Sequence, residues 1–483
     1  MVSYTVLTPQ QWAQREFGAV QLKDKRLSKR VVKVATAMAA DPSASIPKQN
    51  KKPHQSKGAY RLFDHERACL QSLCNPHWQQ TRVACGGCPV VLLIQDTTWL
   101  DYGAHPQTQG LGWVGRDKKK DKTLGNGLFL HSVLAVEPQS QGNARIIGLA
   151  WATIYQRDGE PLRGDQTKRS QRRRAIGRES QRWIEALRQS GKSPPRSRWI
   201  HVGDREGDIY DLYEQAQGHD VGFVIRLKQD RNASAGHDTP DTCGSEDRKG
   251  SSIKELCRQM PVLGTRQLWI SPKPGRAGRQ ASLSISAQAI TIWSPQLNRT
   301  ARALRCWAVR AWEANPPADV SEPVEWMLLS SEPVMNQADA LRIVDYYGCR
   351  WLIEEYHQCL KSGCKVEQRQ LEQAQRLEPL IGMLSVVAVR LLQLKNDARL
   401  IPEKPALESV PPELVHTLAK LIDEPNPQRM TIRRFTHELA KRGGFMGRKG
   451  DGEPGWRTLW QGWHELSLIQ LGYQMAQRGM RCG

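Results

Sequence analysis

The sequence has no run of 18 apolar residues, and its first residues, MVSYTVLTPQQWAQ, have no apolar centre. A membrane-spanning helix needs about 20 such residues, and a secretory signal needs an apolar segment of about 7–15. We therefore expect no membrane partner. Cysteine shows no disulfide pattern, because the eleven cysteines are odd in number and scattered over 483 residues. This distribution predicts reduced thiols in the cytoplasm.

A zinc site is also not expected. Cys85-Gly-Gly-Cys88 is a single CxxC motif with His77 upstream, and no second CxxC or HxxxH pair follows it. A structural zinc site needs four ligands. Buried or unreactive thiols are therefore the favoured interpretation of Cys85 and Cys88.

Acidic residues are scarce. Asp and Glu number 49 against 70 Lys and Arg, which gives a net charge of +21 and a pI of about 9.7. Such an excess indicates a polyanionic partner, such as double-stranded DNA, and salt-sensitive binding, although a ribosomal or membrane-surface protein would also be basic. A chain of 483 residues also predicts several domains.

Residues 1–75 predict a small helical domain. Thr8 followed by Pro9 is a helix start, and Asp41-Pro42 ends a helix with apolar residues at helical spacing and interleaved lysines and arginines. A basic helix followed by a basic loop suits docking on DNA. A solvated amphipathic helix is the alternative.

Residues 76–395 predict an α/β catalytic domain, because strand-like runs alternate with helical ones. Residues 231–325 differ from the rest of this domain in composition. A Gly/Ser/Asp-rich stretch precedes runs with the alternating pattern of β-strands, which predicts an inserted, mostly-β domain. Residues 396–483 predict a helical C-terminal domain. Its tryptophans 456, 460 and 463 share one helix face, which favours a core or subunit contact over a ligand site.

Two predicted strands run directly into acids. Asp96 follows the apolar run Val90–Ile94, and Asp204 follows Trp199–Val202 with Gly203 between them. Open α/β sheets place ligands at such strand ends. Glu206, Asp208 and Asp101 are expected to serve as loop or capping acids.

The stretch DYYGCRWLIEEYHQCLKSGCKVE predicts one helix. At about 100° per residue, Tyr347, Arg350, Glu354 and Lys361 fall within an arc of about 60°. A separate arc holds the apolar residues, namely Cys349, Leu352, Ile353, Tyr356 and Leu360. A carboxylate flanked by two cations suits a metal ion held against a phosphodiester, whereas Glu355 points away. A solvated helix face with ordinary ion pairs is the alternative.

Three converging acids would repel each other unless cations were bound. Oxygen ligands favour Mg²⁺, with Mn²⁺ as a substitute. Two ions could activate water or a 3′-hydroxyl and stabilise the departing oxygen.

Several motifs occur in a specific order over nearly the whole chain: IQDTT, GDREGDI, GFVIRLK, WMLLSSEPV, the Y-x2-R-x3-E-x6-K tetrad, SVVAVRLLQL and GGFM. In this order they resemble the bacterial insertion-sequence transposases of the DDE, cut-and-paste type. The resemblance implies a ribonuclease-H-like fold on which Asp96, Asp204 and Glu354 are the catalytic, metal-binding triad.

The same resemblance implies which residues contact DNA. Tyr347, Arg350 and Lys361 would hold the backbone next to a flipped base, on which Trp326 would stack. The remaining implied DNA contacts are Arg226, Arg26, Arg30 and Arg61. The basic runs Lys118–Lys122 and Arg169–Arg174 are expected to add phosphate contacts, although a solvated face is the alternative for each.

The activity implied is cut-and-paste transposition by a homodimer that pairs two inverted ends, with nicking, hairpin formation and joining of 3′-hydroxyls to target DNA. Two alternatives stay open. One is an inactive DNA-binding regulator of transposition, and the other is a structure-specific nuclease without strand transfer.

Overall fold

The structure is a computed structural model. It describes residues 7–50, 52–114, 125–157, 179–237, 242–243, 251–270, 278–293, 301–318, 320–448, 451 and 453–479. The basic runs Lys118–Lys122 and Arg169–Arg174 lie outside the described residues.

The N-terminal region is helical, as its sequence predicts. Its helices are α1 (Pro9–Phe17), α2 (Lys25–Ala40), α3 (Ile46–Gln49), α4 (Pro53–Phe63) and α5 (Leu70–Cys85). The Thr8 side chain accepts a hydrogen bond from the amide of Gln11, so the predicted start is a capping box with proline at the first helical position. Helix α5 extends past residue 75 and packs against both α1 and the central sheet, so the N-terminal helices and the central sheet share one core.

The centre of the molecule is a mixed sheet. Its first strands are β1 (Val90–Asp101), β2 (Gly112–Val114), β3 (Gly125–Pro138), β4 (Ala144–Tyr155), β5 (Arg198–Gly203) and β6 (Gly222–Arg226). Strands β1, β5 and β6 are neighbours and run parallel. Strand β3 pairs antiparallel with β1 on one side and with β4 on the other. The helices that connect these parallel strands are α6 (Gln181–Ser190) and α7 (Tyr210–Gly218).

The region expected as an inserted domain contributes strands to this same sheet. It contains β7 (Asn232–Ala235), β8 (Thr242–Cys243), β9 (Ser251–Ser252), α8 (Ile253–Gln259), β10 (Val262–Ile270), β11 (Arg279–Trp293) and β12 (Ala301–Glu313). Strand β12 pairs with β13 (Glu325–Ser330), which in turn pairs with β6. The backbone hydrogen bonding is therefore continuous from the central strands into this region.

Helices complete the core. Helix α9 (Gln337–Gly348) leads through α10 (Trp351–Gln358) to α11 (Ala374–Leu400). Helix α11 is long and apolar enough to span a membrane, but 94% of its most apolar window is buried inside the protein. Its apolar composition therefore reflects its position as the central core helix, and it gives no indication of a membrane span.

The C-terminal part is formed by α12 (Pro412–Leu421), α13 (Ile432–Arg442) and α14 (Trp456–Gly479). Trp460 is buried, and Trp456 and Trp463 pack partly buried against the core. The three rings line a small cavity together with Leu391 and Leu394 of α11. The predicted tryptophan stripe is thus a packing face that joins α14 to the central helix.

Candidate active site

Two of the predicted acids lie side by side because of strand register. Ile94 of β1 is opposite Val202 of β5 in a parallel pair, so the same register extended by two residues brings Asp96 beside Asp204. Each carboxylate accepts a backbone amide: Asp96 Oδ1 from Thr97 at 2.7 Å and Asp204 Oδ1 from Glu206 at 2.8 Å. These short local bonds fix the direction of both side chains.

The glycines of GDREGDI make room for an indole. A Cβ added at Gly203 would lie 2.7 Å from the Trp183 ring, and one added at Gly207 would lie 2.9 Å from it. Trp183, on α6, is itself buried. The turn that contains Asp204 therefore rests on Trp183, and only glycine fits at its two contact points.

The third acid is linked to the first through an arginine. Arg350 Nη1 lies 3.2 Å from Glu354 Oε1 and 3.7 Å from Asp96 Oδ2. Helix α10 positions Glu354, and Arg350 immediately precedes that helix. One guanidinium thus bridges the acid on β1 and the acid on the helix, and it neutralises part of their charge.

The electrostatics of Asp96 reflect this crowding. Burial, together with the smaller effect of the negative charges of Asp204 and Glu354, raises the pKa of Asp96 to about 8. The charge of Arg350 and the amide of Thr97 lower this pKa and so act in the opposite sense. Asp96 is therefore close enough to both other carboxylates for their charges to disfavour its ionised form.

The donor set is suited to a hard divalent cation. All three acids are carboxylates, and their repulsion is relieved by positive charge, which Arg350 supplies in part. Within the described residues, however, no three His, Cys, Asp or Glu side chains stand close enough to hold a metal ion as they are placed. The residues fit Mg²⁺ or Mn²⁺ in chemical type, and binding would require the carboxylates to move closer together.

The predicted single helix through the tetrad is wrong. Helix α9 ends at Gly348, α10 begins at Trp351, and Cys359–Gly363 forms a π-helical turn. The backbone tightens at the first junction, where the Arg350 amide donates to the Tyr347 carbonyl at 3.0 Å. It widens at the second, where the Cys364 amide donates to the Cys359 carbonyl at 3.0 Å.

These departures separate the tetrad into two parts. Arg350 lies near Tyr347, with its guanidinium carbon 6.0 Å from the tyrosine ring centre, and near Glu354. Lys361 lies instead 3.6 Å from Glu367 Oε1 and 5.3 Å from the centre of the Trp99 ring. Four of the five residues of the predicted apolar arc are buried, namely Cys349, Ile353, Tyr356 and Leu360, and Leu352 packs partly buried against the core.

Trp326 is next to this group. It lies on β13 opposite Ala311, and its ring meets that of Tyr347 edge to face, with centroids 5.1 Å apart and planes at 68°. Arg226, at the end of β6, donates a 2.7 Å hydrogen bond from Nη2 to the Glu325 carbonyl. Arg226 therefore holds the start of the strand that presents Trp326.

Three family models match the chain. Residues 9–68 match "Transposase DNA-binding", residues 161–390 match "Transposase DDE domain", and residues 386–482 match "Transposase Tn5 dimerisation domain". These matches support a Tn5-like DNA transposase. Asp204 and Glu354 lie inside the DDE match, whereas Asp96 precedes it.

The DNA-binding and dimerisation matches support DNA as a partner of this chain and support dimer formation. The DDE match supports nuclease and transferase activity and implies use of a divalent metal ion. The C-terminal helices α12–α14 all lie inside the dimerisation match.

The basic residues expected at the transposon end differ in exposure. Arg26 is almost fully exposed and its Nε lies 4.0 Å from Asp24, and Arg61 is exposed in the last turn of α4. Arg30 lies across Gly58, where an added Cβ would be 1.4 Å from its Nη1. Arg26 and Arg61 are therefore accessible to DNA as they stand, whereas Arg30 is partly held between α2 and α4.

The neighbouring acids have other partners. Glu355 pairs with Lys395 at 3.0 Å and Arg399 at 2.9 Å on α11. Asp208 pairs with Arg231 at 2.6 Å and accepts a 2.7 Å hydrogen bond from Tyr213. The Glu355 ion pairs tie α10 to α11, and the Tyr213 hydrogen bond ties Asp208 to α7.

The role of Trp183 could not be found by sequence reasoning. The spacing of two glycines on either side of Asp204 was the available signal, but it did not identify the ring that fills the space. The contact between Arg350 and Asp96 was also missed, since it depends on how α10 packs over β1.

The raised pKa of Asp96 predicts an unusual pH dependence of stability. Between about pH 4 and the folded-state pKa of about 8, the folded protein keeps the Asp96 proton whereas the unfolded chain has lost it. Without divalent ions, the free energy of unfolding of the wild type should therefore fall across this window relative to that of Asp96→Asn. Denaturant unfolding of both proteins in EDTA across the window checks this. Parallel curves for the two proteins would contradict it.

Proposed function

We propose that this chain is a cut-and-paste DNA transposase, close to the transposase of the kanamycin-resistance composite transposon. Asp96, Asp204 and Glu354 form its catalytic triad on a ribonuclease-H-like fold. The supporting observation is that β1, the end of β5 and one helix bring three carboxylates near one another, where Arg350 bridges two of them. A buried carboxylate beside two like charges, as at Asp96, would only destabilise the fold without a catalytic or metal-binding role.

The three carboxylates are assigned two Mg²⁺ ions, with Mn²⁺ as a substitute. When bound, such ions supply Lewis acidity that activates water or a 3′-hydroxyl and stabilises the departing oxygen. The protein's own contribution is to direct the oxygens of Asp96 and Asp204 by backbone amides and to hold Glu354 on a helix. Arg350 then has its planar fork available for a phosphate oxygen.

DNA is held on both sides of this centre. The DNA backbone beside a flipped thymine is bound by Tyr347, Arg350 and Lys361. Trp326 stacks on the flipped base. Arg226 supports the β-strand that carries Trp326 or contacts the DNA itself. Arg26, Arg30 and Arg61 recognise the inverted end. A nick, a hairpin intermediate, its resolution and the joining of 3′-hydroxyls to target DNA complete the reaction, within a homodimer that pairs two ends in the bacterial nucleoid.

The domains are assigned as residues 1–75 for end binding, 76–395 for catalysis with an insertion at 231–325, and 396–483 for dimerisation. The core helix α11 connects the last two, since it packs against both the sheet and α13. Catalysis and dimerisation are thus mechanically joined in this proposal.

One experiment tests this function against its alternatives. Purified protein is incubated with Mg²⁺ and DNA bearing the ends of its own element, and the products are mapped to the nucleotide. A transposase gives nicks, hairpins, released ends and joined target. An inactive regulator shifts the DNA in a gel without cutting it, and a structure-specific nuclease cuts without joining.

Net charge predicts the salt dependence of non-specific DNA binding. The logarithm of the affinity should fall linearly with the logarithm of the salt concentration, because binding releases counterions from the DNA. The affinity itself should fall by about 10³-fold or more between about 50 and 200 mM salt. Fluorescence anisotropy with an unrelated duplex measures this. Arg61→Gln should lower the slope by about one if Arg61 contacts a phosphate. A flat dependence in the wild type would show that the basic surface is not the DNA-binding surface.

A further inference from the structure

A buried line of polar side chains lies beneath the carboxylates, on the opposite face of the sheet. Alternate residues of a strand face opposite sides, so Gln95 and Thr97 flank Asp96 but project away from it. Gln95, His131 and His201 are buried. Polar groups in such a position are costly unless they are hydrogen-bonded, so their arrangement requires an explanation.

The side chains form one hydrogen-bonded chain across three strands. Thr97 Oγ1 lies 2.7 Å from His131 Nδ1, His131 Nε2 lies 3.3 Å from Gln95 Oε1, and Gln95 Nε2 lies 2.6 Å from His201 Nδ1. His131 is on β3, Gln95 and Thr97 are on β1, and His201 is on β5. The chain therefore connects both neighbours of β1 through its one glutamine.

The orientation of the Gln95 amide sets the direction of the chain. Its nitrogen donates to His201 Nδ1 and its oxygen accepts from His131 Nε2–H, so His131 Nδ1 accepts the Thr97 hydroxyl proton. Burial lowers the pKa of His131 and of His201 to about 3, so both rings are neutral. His201 Nε2 has no hydrogen-bond partner in the described part of the chain.

The link between Gln95 and His201 lies where the backbone pairing of β1 and β5 stops. The last paired residues are Ile94 and Val202, two positions before Asp96 and Asp204. The Trp183 ring covers this row of hydrogen-bonded side chains, with its centre 5.1 Å from that of the His131 ring. The same ring packs against Gly203 and Gly207. The hydrogen bond and the indole thus act together on the turn that contains Asp204.

We propose that Gln95 and His201 are positioning residues, whose hydrogen bond sets the separation of the Asp96 and Asp204 carboxylates and so their ability to share divalent ions. This rests on the proposed function of the triad. A link of this kind outside the ligands themselves typically changes metal affinity or activity by about 10–100-fold.

The test compares His201→Leu with His201→Asn. Asparagine can place an amide oxygen near the position of Nδ1 and accept from Gln95, whereas leucine cannot. Mn²⁺ binding to the complex with end DNA is followed by loss of the free-ion electron paramagnetic resonance signal, and single-turnover cleavage is measured at saturating DNA. We expect His201→Leu to weaken both by about tenfold or more and His201→Asn to stay within about threefold of wild type.

A matched control separates positioning from loss of stability. Thr291→Val removes another buried hydrogen bond of the same sheet, from Thr291 Oγ1 to the Gly236 carbonyl, far along the sheet order from β1 and β5. All assays are run well below the melting temperature of the least stable variant. If His201→Leu does not fold, Gln95→Met removes the same hydrogen bond from the other side.

The proposal is overturned if His201→Leu binds Mn²⁺ and cleaves like wild type, if His201→Asn is as defective as His201→Leu, or if Thr291→Val is equally defective. A wild type that binds Mn²⁺ but does not cleave would refute the proposed function only. The Mn²⁺ comparison of the variants would still decide the positioning role.

Discussion

Asp96→Asn, Asp204→Asn and Glu354→Gln should each lower end cleavage in Mg²⁺ by about 10³-fold or more, while the Kd for end DNA stays within about threefold of wild type. Each substitution removes one charged oxygen ligand from the group of three carboxylates and keeps the shape of the side chain. End binding should survive because its basic residues lie on α2 and α4. Gel-resolved single-turnover cleavage and anisotropy measure the two quantities.

Glu206→Gln is the matched control, because Glu206 is an exposed acid two residues from Asp204. Its cleavage rate should stay close to that of wild type. If any one of the three triad variants cleaved as fast as Glu206→Gln, that residue would be removed from the triad. If all three did, the site would have to lie elsewhere.

Asp96→Asn should separate activity from stability. The wild-type carboxylate is buried beside two like charges, which raises its pKa to about 8, so its removal should not destabilise the metal-free protein. A residue that opposes folding and is needed for cleavage is the expected signature of a functional site.

An apolar run that stops at an acid predicts a buried strand followed by a ligand-binding position. Asp204 is found there, directly after β5. The prediction is wrong for Asp96, which lies within β1, because β1 continues to Asp101 in its pairing with β3 and only its pairing with β5 ends at Ile94. Their proximity was not predictable from local pattern, because it depends on β1 pairing with β5 rather than with another strand. That pairing joins segments distant in the sequence.

The tetrad shows a different limit of pattern reasoning. Helical spacing assumes about 3.6 residues per turn throughout, but the chain tightens before α10 and forms a π-helical turn at Cys359–Gly363. Arg350 and Glu354 are four residues apart on the unbroken side, so their contact follows from spacing. Lys361 lies within the π-helical turn, so its neighbours Glu367 and Trp99 could not be inferred.

The strands of residues 231–325 were recognisable by composition, but their attachment was not. Proline and glycine turns between β-type runs indicated an inserted, mostly-β domain. The register of β12 with β13, and of β13 with β6, makes them part of the central sheet. This continuity places Trp326 on β13, which is separated from β5 by β6 alone, and explains how Trp326 reaches Tyr347.

Trp326→Ala should still nick DNA ends but should accumulate nicked product and give about tenfold less hairpin. The free 3′-hydroxyl must attack the opposite strand across the duplex, which requires a sharply bent backbone and an unstacked base. Unstacking costs a few kcal/mol, and stacking on an indole returns about 1–3 kcal/mol. Loss of about 1.4 kcal/mol corresponds to a tenfold slower step. The time course of nicked and hairpin species on a denaturing gel measures the effect.

Trp312→Ala is the matched control. Trp312 lies on the adjacent strand β12 opposite Glu325, and the Arg310 guanidinium carbon is 4.1 Å from the centre of its ring. Its loss removes an indole of equal size from the same sheet without exposing Tyr347. It should therefore leave the ratio of hairpin to nick unchanged.

An abasic nucleotide at the flipped position gives the decisive comparison. Without a base there is little stacking to break and none to recover, so the abasic end should restore part of the hairpin yield of Trp326→Ala. A mutant that only distorted Tyr347 through its edge-to-face contact would gain nothing from the abasic end, because its phosphate contact would still be misplaced. Normal hairpin formation by Trp326→Ala would instead show that Trp326 is a packing residue of β13.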